Sequence, residues 1–115
     1  MFVSHRDQIE KKRIENPSVM HVEKQILIGP AQGWKDYVMR QFTLGPLGYA
    51  PRHRHPYPHI MYVLEGSGNL FLEGTDHPLT SGSVAYVPAD ADHQVSNTSS
   101  RTFSFICIVP EYGER

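Results

Sequence analysis

The chain holds a single cysteine, Cys107, in 115 residues. No internal disulfide framework is therefore available, and the composition fits a reducing compartment. Neither sign of charge is in excess. Eleven Lys and Arg against twelve Asp and Glu leave a formal net charge of −1, without the basic footprint of a nucleic-acid binder. No apolar run approaches the roughly 18–20 residues of a membrane helix, and mean hydropathy is −0.42. The opening Met1-Phe2-Val3-Ser4-His5-Arg6-Asp7 lacks the apolar stretch of a secretory signal. These absences set the expectation of a cytoplasmic protein with neither a membrane nor a nucleic-acid partner. Long helices have little room either, because nine glycines and nine prolines punctuate the chain at short intervals.

What is present is strand chemistry. The length suits one domain. Residues 1–20 are polar, with Glu10-Lys11-Lys12-Arg13 and Asn16-Pro17, and are expected as an extended N-terminal arm ahead of a barrel domain over residues 21–115. From there on, short β-branched and aromatic runs alternate with turn residues. Val22 to Ile28 ends at Gly29-Pro30, Tyr37 to Leu44 at Gly45-Pro46, and Ile60 to Leu64 at Glu65-Gly66-Ser67-Gly68. Leu70 to Leu72 ends at a hairpin turn, Gly74-Thr75-Asp76; Val84 to Val87, Gln94 to Asn97 and Thr102 to Val109 follow. Seven or eight such strands predict an all-β sandwich or barrel.

The chemistry-bearing cluster is His53-Arg54-His55-Pro56-Tyr57-Pro58-His59, with His93 in a distant segment. Imidazole is the commonest metal ligand. The period of two along an extended chain puts His53 and His55 on one face. The remaining histidines, His5, His21 and His77, lie in the arm or beside a turn and are expected to be incidental.

Two segments carry a family resemblance. Gly48-Tyr-Ala-Pro-Arg-His53-Arg-His55-Pro-Tyr-Pro-His59-Ile-Met-Tyr-Val-Leu-Glu-Gly66 resembles the first cupin motif, and Gly82-Ser-Val-Ala-Tyr-Val-Pro88-Ala-Asp90-Ala-Asp-His93-Gln-Val-Ser-Asn97 resembles the second. The resemblance implies a cupin-type double-stranded β-helix, a jelly-roll barrel. It departs from the pattern at three places. His59 stands where a glutamate ligand is usual, and Glu65 is at the wrong spacing to replace it. Asp90 stands at the second motif's central glycine, where a short polar residue tolerates a left-handed turn. Only four residues separate Gly48 from His53, one fewer than usual. The implied ligand set is His53, His55, His59 and His93, similar to that of small four-histidine cupins, some of which bind manganese. The expected cofactor is one divalent transition metal ion, with Mn favoured and Fe, Ni, Zn or Cu also compatible with imidazole. Four neutral rings leave the ion's full charge in place, which makes it a stronger Lewis acid than a site containing a carboxylate.

Around this site Arg40, Met61, Phe105 and Cys107 are the candidate substrate-binding residues. Met61 and Val63 share the facing of His59 and serve either as packing or as substrate contacts. On the last strand Phe103, Phe105, Cys107 and Val109 share one face, but both faces are apolar and parity alone does not choose between them. Arg40 either faces solvent or anchors an anionic substrate. Cys107 has no cationic neighbour in sequence and is expected to be an inert buried thiol. Tyr57 between two prolines is expected to position His55 and His59, on a bend rather than a central strand. The leading functional expectation is a dioxygenase-like oxidoreductase acting on a small organic molecule. A non-redox isomerase or lyase and a binding module without turnover are the alternatives. A homodimer is expected, with the arm available to add a strand to a neighbour.

Overall fold

Runs of strand-forming residues between turn residues do become strands in the computed structural model, which describes residues 1–114. Among the described residues there are nine: β1 (Lys12–Ile14), β2 (Met20–Ile28), β3 (Tyr37–Tyr49), β4 (His59–Glu65), β5 (Ser67–Leu72), β6 (Thr75–Thr80), β7 (Val84–Val87), β8 (His93–Ser96) and β9 (Phe103–Pro110). The helical content is three 3₁₀ turns, at Arg6–Gln8, Pro30–Gln32 and Glu111–Gly113. No helix among the described residues is long and apolar enough to cross a membrane.

The strands form one curled sheet in the order β6-β5-β8-β3-β9-β4-β7, with β2 also paired to β3 and β1 to β2. This is the all-β jelly-roll expected from the sequence. Its pivot is β3. Residues 37–44 pair with β9 on one side, while most of the strand pairs with β2 on the other; at its far end Tyr49 pairs with Ser96 of β8. Between Leu44, opposite Val22, and Tyr49, opposite Met20, four residues of β3 face one of β2. That wide bulge explains why β3 runs past Gly45-Pro46, where a stop was expected. Pro46 sits in the bulge and owes the ladder no N–H.

Two strands were not anticipated, β1 in the N-terminal arm and β6. Thr75-Asp76-His77-Pro78 reads as turn and polar loop, yet the turn is over at Gly74 and the strand pairs fully with β5, from Leu72↔Thr75 to Ser67↔Thr80. Only Leu79 of β6 is buried, so the segment offers little hydrophobic pattern to read. The β4–β5 connection needs its glycine. Gly66 has φ +81, and a Cβ there would run into the Thr102 carbonyl oxygen.

Alternation sets the core. In β4, His59, Met61 and Val63 are buried while Ile60 and Tyr62 are exposed. In β9, Phe103, Phe105, Cys107 and Val109 are all buried, which settles the parity that the sequence leaves open. They pack with Val22, Val38, Leu44, Met61, Val63 and Val87. Residues 1–20 are not wholly extended. After the 3₁₀ turn at Arg6–Gln8, β1 pairs with β2 of the same chain, and the buried Gln25 amide donates to the carbonyls of Arg6 and Ile9.

Candidate metal centre

The histidine-bearing loop, residues 50–58, cannot continue as a strand because Pro56 and Pro58 lack N–H groups. It bends at Pro56–Tyr57. Its geometry is fixed by the facing loop. His53 and His93 exchange backbone hydrogen bonds of 3.0 and 3.1 Å, and the Asp90 N–H donates to the His55 carbonyl at 2.7 Å. Asp90 has φ +66 there, the left-handed conformation expected of it. Arg52 grips Asp92 through two bonds, of 3.1 and 2.8 Å, and Arg54 donates to the Asp90 carbonyl. Two loops that are 40 residues apart in sequence are thereby held as one unit.

Three of the four rings then find a hydrogen-bonded support. His55 Nδ1 lies 2.7 Å from the Tyr57 carbonyl and must donate to it, since two acceptors do not face one another. The Tyr57 ring stacks on His55, centroids 4.0 Å apart and planes 7° off parallel. Tyr57 is itself held by its hydroxyl, which donates to the Gly113 carbonyl at 3.1 Å. A Cβ at Gly113 would come within 2.7 Å of the Tyr57 ring, so only glycine lets the C-terminal turn approach so closely. His93 Nδ1 donates to the Ala91 carbonyl at 2.9 Å. His59, the first residue of β4, places Nδ1 3.1 Å from Cys107 Sγ.

With their Nδ1 atoms committed, His55 and His93 keep Nε2 free. One ligating nitrogen each from His53, His55 and His93 lies within 4.8 Å of the others. His59 falls outside that mutual set but touches it, with Nε2 3.2 Å from His93 Nε2. Two ligands on adjacent positions of one ion, with bonds of about 2.1 Å, show a separation of this size. His53, His55 and His59 are also held in the neutral, ligating form. Desolvation first, then the neighbouring histidines and Arg40, push His59 down to about 3 and His53 to about 4. His55 is lowered as well, chiefly by desolvation. Neutral imidazoles with free lone pairs are the donor set that suits divalent zinc, copper, iron or nickel, so the residues present fit a metal ion.

The rings open onto a cavity of about 110 Å³. Arg40, Phe105 and Cys107, expected at the site, line it; Met61 does not. Met61 is 1 % exposed and belongs to the core, so although it shares its facing with His59, it serves packing. Arg40 faces inward. Its guanidinium lies 4.9 Å from the centroid of Phe42 and donates to Cys107 Sγ at 3.0 Å and to Glu114 at 3.3 Å. Cys107 therefore does have cationic company, supplied by the fold rather than by sequence neighbours. Burial still pushes its thiol up against the pull of Arg40.

Phe42, Val95, Ala50 and Pro51 also line the cavity and were not singled out from the sequence. Phe42 shares a face of β3 with Arg40, and Val95 a face of β8 with His93, so the period of two was the available signal. Glu114 had none, lying 74 positions from Arg40. No Asp or Glu lines the cavity among the described residues; Glu65 accepts from Ser104 Oγ at the other end of β4. His5 caps the first 3₁₀ turn, while His21 and His77 are exposed on β2 and β6. A larger open depression of about 490 Å³ beside Arg13, His21, Glu23 and Pro46 includes none of the clustered histidines.

The cupin domain matches residues 40–109 of the chain. The dimethylsulfoniopropionate lyase DddW of Ruegeria pomeroyi is 33 % identical over 79 residues, 68 % of this chain and 52 % of the lyase. Auxin-binding protein 1 of Arabidopsis thaliana is 29 % identical over 86 residues, 67 % of this chain and 43 % of that protein. The matched part of each of these relatives is thus about half of its length. The polyketide cyclase RemF of Streptomyces resistomycificus superposes with a TM-score of 0.89 at 27 % identity, covering 96 % of this chain and 79 % of the cyclase.

Proposed function

The chain belongs to the cupin domain family, and on that footing we propose that it is a metal-dependent enzyme in which His53, His55, His59 and His93 hold one divalent transition metal ion, manganese in the first instance. The observation that carries this reading is the convergence of four imidazoles, three of them hydrogen-bonded through Nδ1, on one cavity wall that contains no carboxylate among the described residues. When bound, such an ion supplies Lewis acidity and, if redox-active, electron transfer to and from an organic substrate or dioxygen.

The protein's own part is orientation, exclusion of water and charge. Tyr57 and the C-terminal turn hold His55; Ala91 and Cys107 hold His93 and His59. Phe42, Phe105 and Val95 keep the opposite wall dry. Arg40, the one Lys or Arg on the cavity wall among the described residues, orients an anionic end of a small substrate toward the rings. With no Asp or Glu on that wall among the described residues, carboxylate-driven proton abstraction lacks a base there, which favours a dioxygenase-like oxidation. A second reading, a non-redox lyase or cyclase, is favoured by the relatives named for those activities, because one fold hosts many chemistries.

Metal analysis of the purified protein with electron paramagnetic resonance tests the site, and oxygen uptake with small diones, enols and catechols tests the reaction. One equivalent of manganese or iron and substrate-dependent oxygen consumption are expected. Full activity of the zinc-loaded protein without oxygen would select the non-redox reading.

A further inference from the structure

The guanidinium of Arg40 receives its counter-ion from the far end of the chain. After β9 the Glu111 N–H donates to the Asp36 carbonyl at 2.7 Å, and the Tyr57 hydroxyl donates to the Gly113 carbonyl. The C-terminal turn is thus pinned on two sides and delivers the Glu114 carboxylate inward. Its Oε2 accepts from Lys24 Nζ at 2.6 Å and its Oε1 from Arg40 Nη1 at 3.3 Å. Lys24, Arg40 and Glu114 are only 20, 13 and 16 % exposed. Lys24 lies opposite Phe42 in the β2–β3 ladder, on the face that carries the cavity-lining Phe42 and Arg40. Two cations share one carboxylate here, so one positive charge is left over. The short bond belongs to Lys24. Arg40 has a single long one to Glu114, with Nη2 on the Cys107 sulfur and a buried Nε that finds no partner among the described residues.

We propose that Glu114 is a specificity-determining residue of this cavity: shared between Lys24 and Arg40, it selects a monocarboxylate over a dianion or a neutral molecule. This rests on the reading of Arg40 as the group that meets an anionic end of the substrate, and adds to it a control of charge. A bidentate pair with Glu114 would occupy the Arg40 fork and cancel its charge. The observed single bond leaves the guanidinium positive and with donors to spare. One carboxylate on the ligand balances the charge left over. A second would be desolvated without a partner, and a neutral ligand would leave a partly buried cation uncompensated. Lys24 does not line the cavity, so it acts on a ligand there through Glu114. Removing either member of the Lys24–Glu114 pair therefore breaks the same bond, yet moves the charge felt in the cavity in opposite directions.

The test is calorimetric titration of the full chain with propionate, malonate and propionamide, which carry one, two and no negative charges at neutral pH. It is run on manganese-loaded and on chelator-treated protein. Each variant is compared with wild type in the same form, so the ion's own attraction for anions cancels. Wild type is expected to bind propionate at least about 10-fold more tightly than propionamide. Glu114→Gln is expected to tighten propionate about 10-fold and malonate about 100-fold, because each charge on the ligand feels the lost carboxylate. Lys24→Met turns Glu114 wholly to Arg40 and is expected to weaken propionate about 10-fold. A pair that only held the fold together would move both variants the same way. Shifts of equal sign, an unchanged malonate-to-propionate ratio in Glu114→Gln, or a wild type indifferent to the charge of the probe overturns the proposal. Should Glu114→Gln not fold, Lys24→Met is read alone, and propionate binding that holds or tightens is then the overturning result. Failure of the metal-site reading would show separately, as absence of bound manganese, and leaves the comparison in chelator-treated protein intact.

Discussion

At His59 one ring answers to two neighbours, Cys107 Sγ through Nδ1 and His93 through Nε2. If it is a ligand, His59→Ala should weaken metal binding beyond the roughly 10–100-fold lost when only a supporting group is removed. His77→Ala, on the far strand β6, should leave metal content unchanged; equal loss in both variants, measured by titration with a competing chelator, would sink the assignment. Tyr57 is a positioning residue and calls for a graded test. Tyr57→Phe keeps the stack on His55 and gives up the bond to Gly113, a stability cost of about 1 kcal/mol. Tyr57→Ala gives up both and should lower metal affinity about 10–100-fold. Equal affinity in the two variants would mean that the stack does not orient the ring.

Among the elements, the short segment that closes β8 ties the most together. Asn97 is 2 % exposed, and its amide nitrogen donates to the carbonyls of Leu44, Gly45 and Arg101 while its oxygen accepts from Ser99. It binds the bulge of β3 to the β8–β9 turn. Asn97→Ala strands the buried Leu44 carbonyl and the part-buried groups of Gly45, Ser99 and Arg101 and should cost about 2–4 kcal/mol in urea unfolding, with metal stoichiometry at saturation unchanged. A loss below about 0.5 kcal/mol would show that water replaces the side chain there. Strand positions were legible in the sequence where turn residues bracket alternating apolar ones, as at β4, β7 and β9. They were illegible at β6, where only Leu79 is buried, and in the extension of β3, which depends on a bulge opposite β2.

For the molecule as a whole, the buried imidazoles make stability depend on pH in a definite direction. His59 and His53 are held at about 3 and about 4, below the ordinary 6.5. Between those values and 6.5 the unfolded chain binds protons that the folded chain refuses, so stability falls as pH drops through that window. Metal-free protein should therefore show a lower urea midpoint at pH 5 than at pH 7.5; a flat or rising midpoint would contradict the burial of these rings as neutral groups. Metal acts in the same sense. At a free concentration 100 times its dissociation constant, an ion that binds only the folded chain adds about 2.7 kcal/mol. Chelation should lower Tm by about 10 °C, as read by scanning calorimetry.

The sequence by itself determined the all-β class, the cupin pattern and the identity of four clustered histidines, because strand periodicity and ligand spacing are local properties of a chain. Set beside the cupin motif it resembles, it also puts His59 where that motif usually has a glutamate. Only the tertiary structure decided which face of β9 points inward, that Arg40 and Cys107 share the cavity while Met61 does not, and that Glu114 reaches Arg40 across 74 positions. Those are contacts between segments distant in sequence. They are set by how the sheet curls and where β3 bulges, and neither leaves a periodic mark on the residues it brings together.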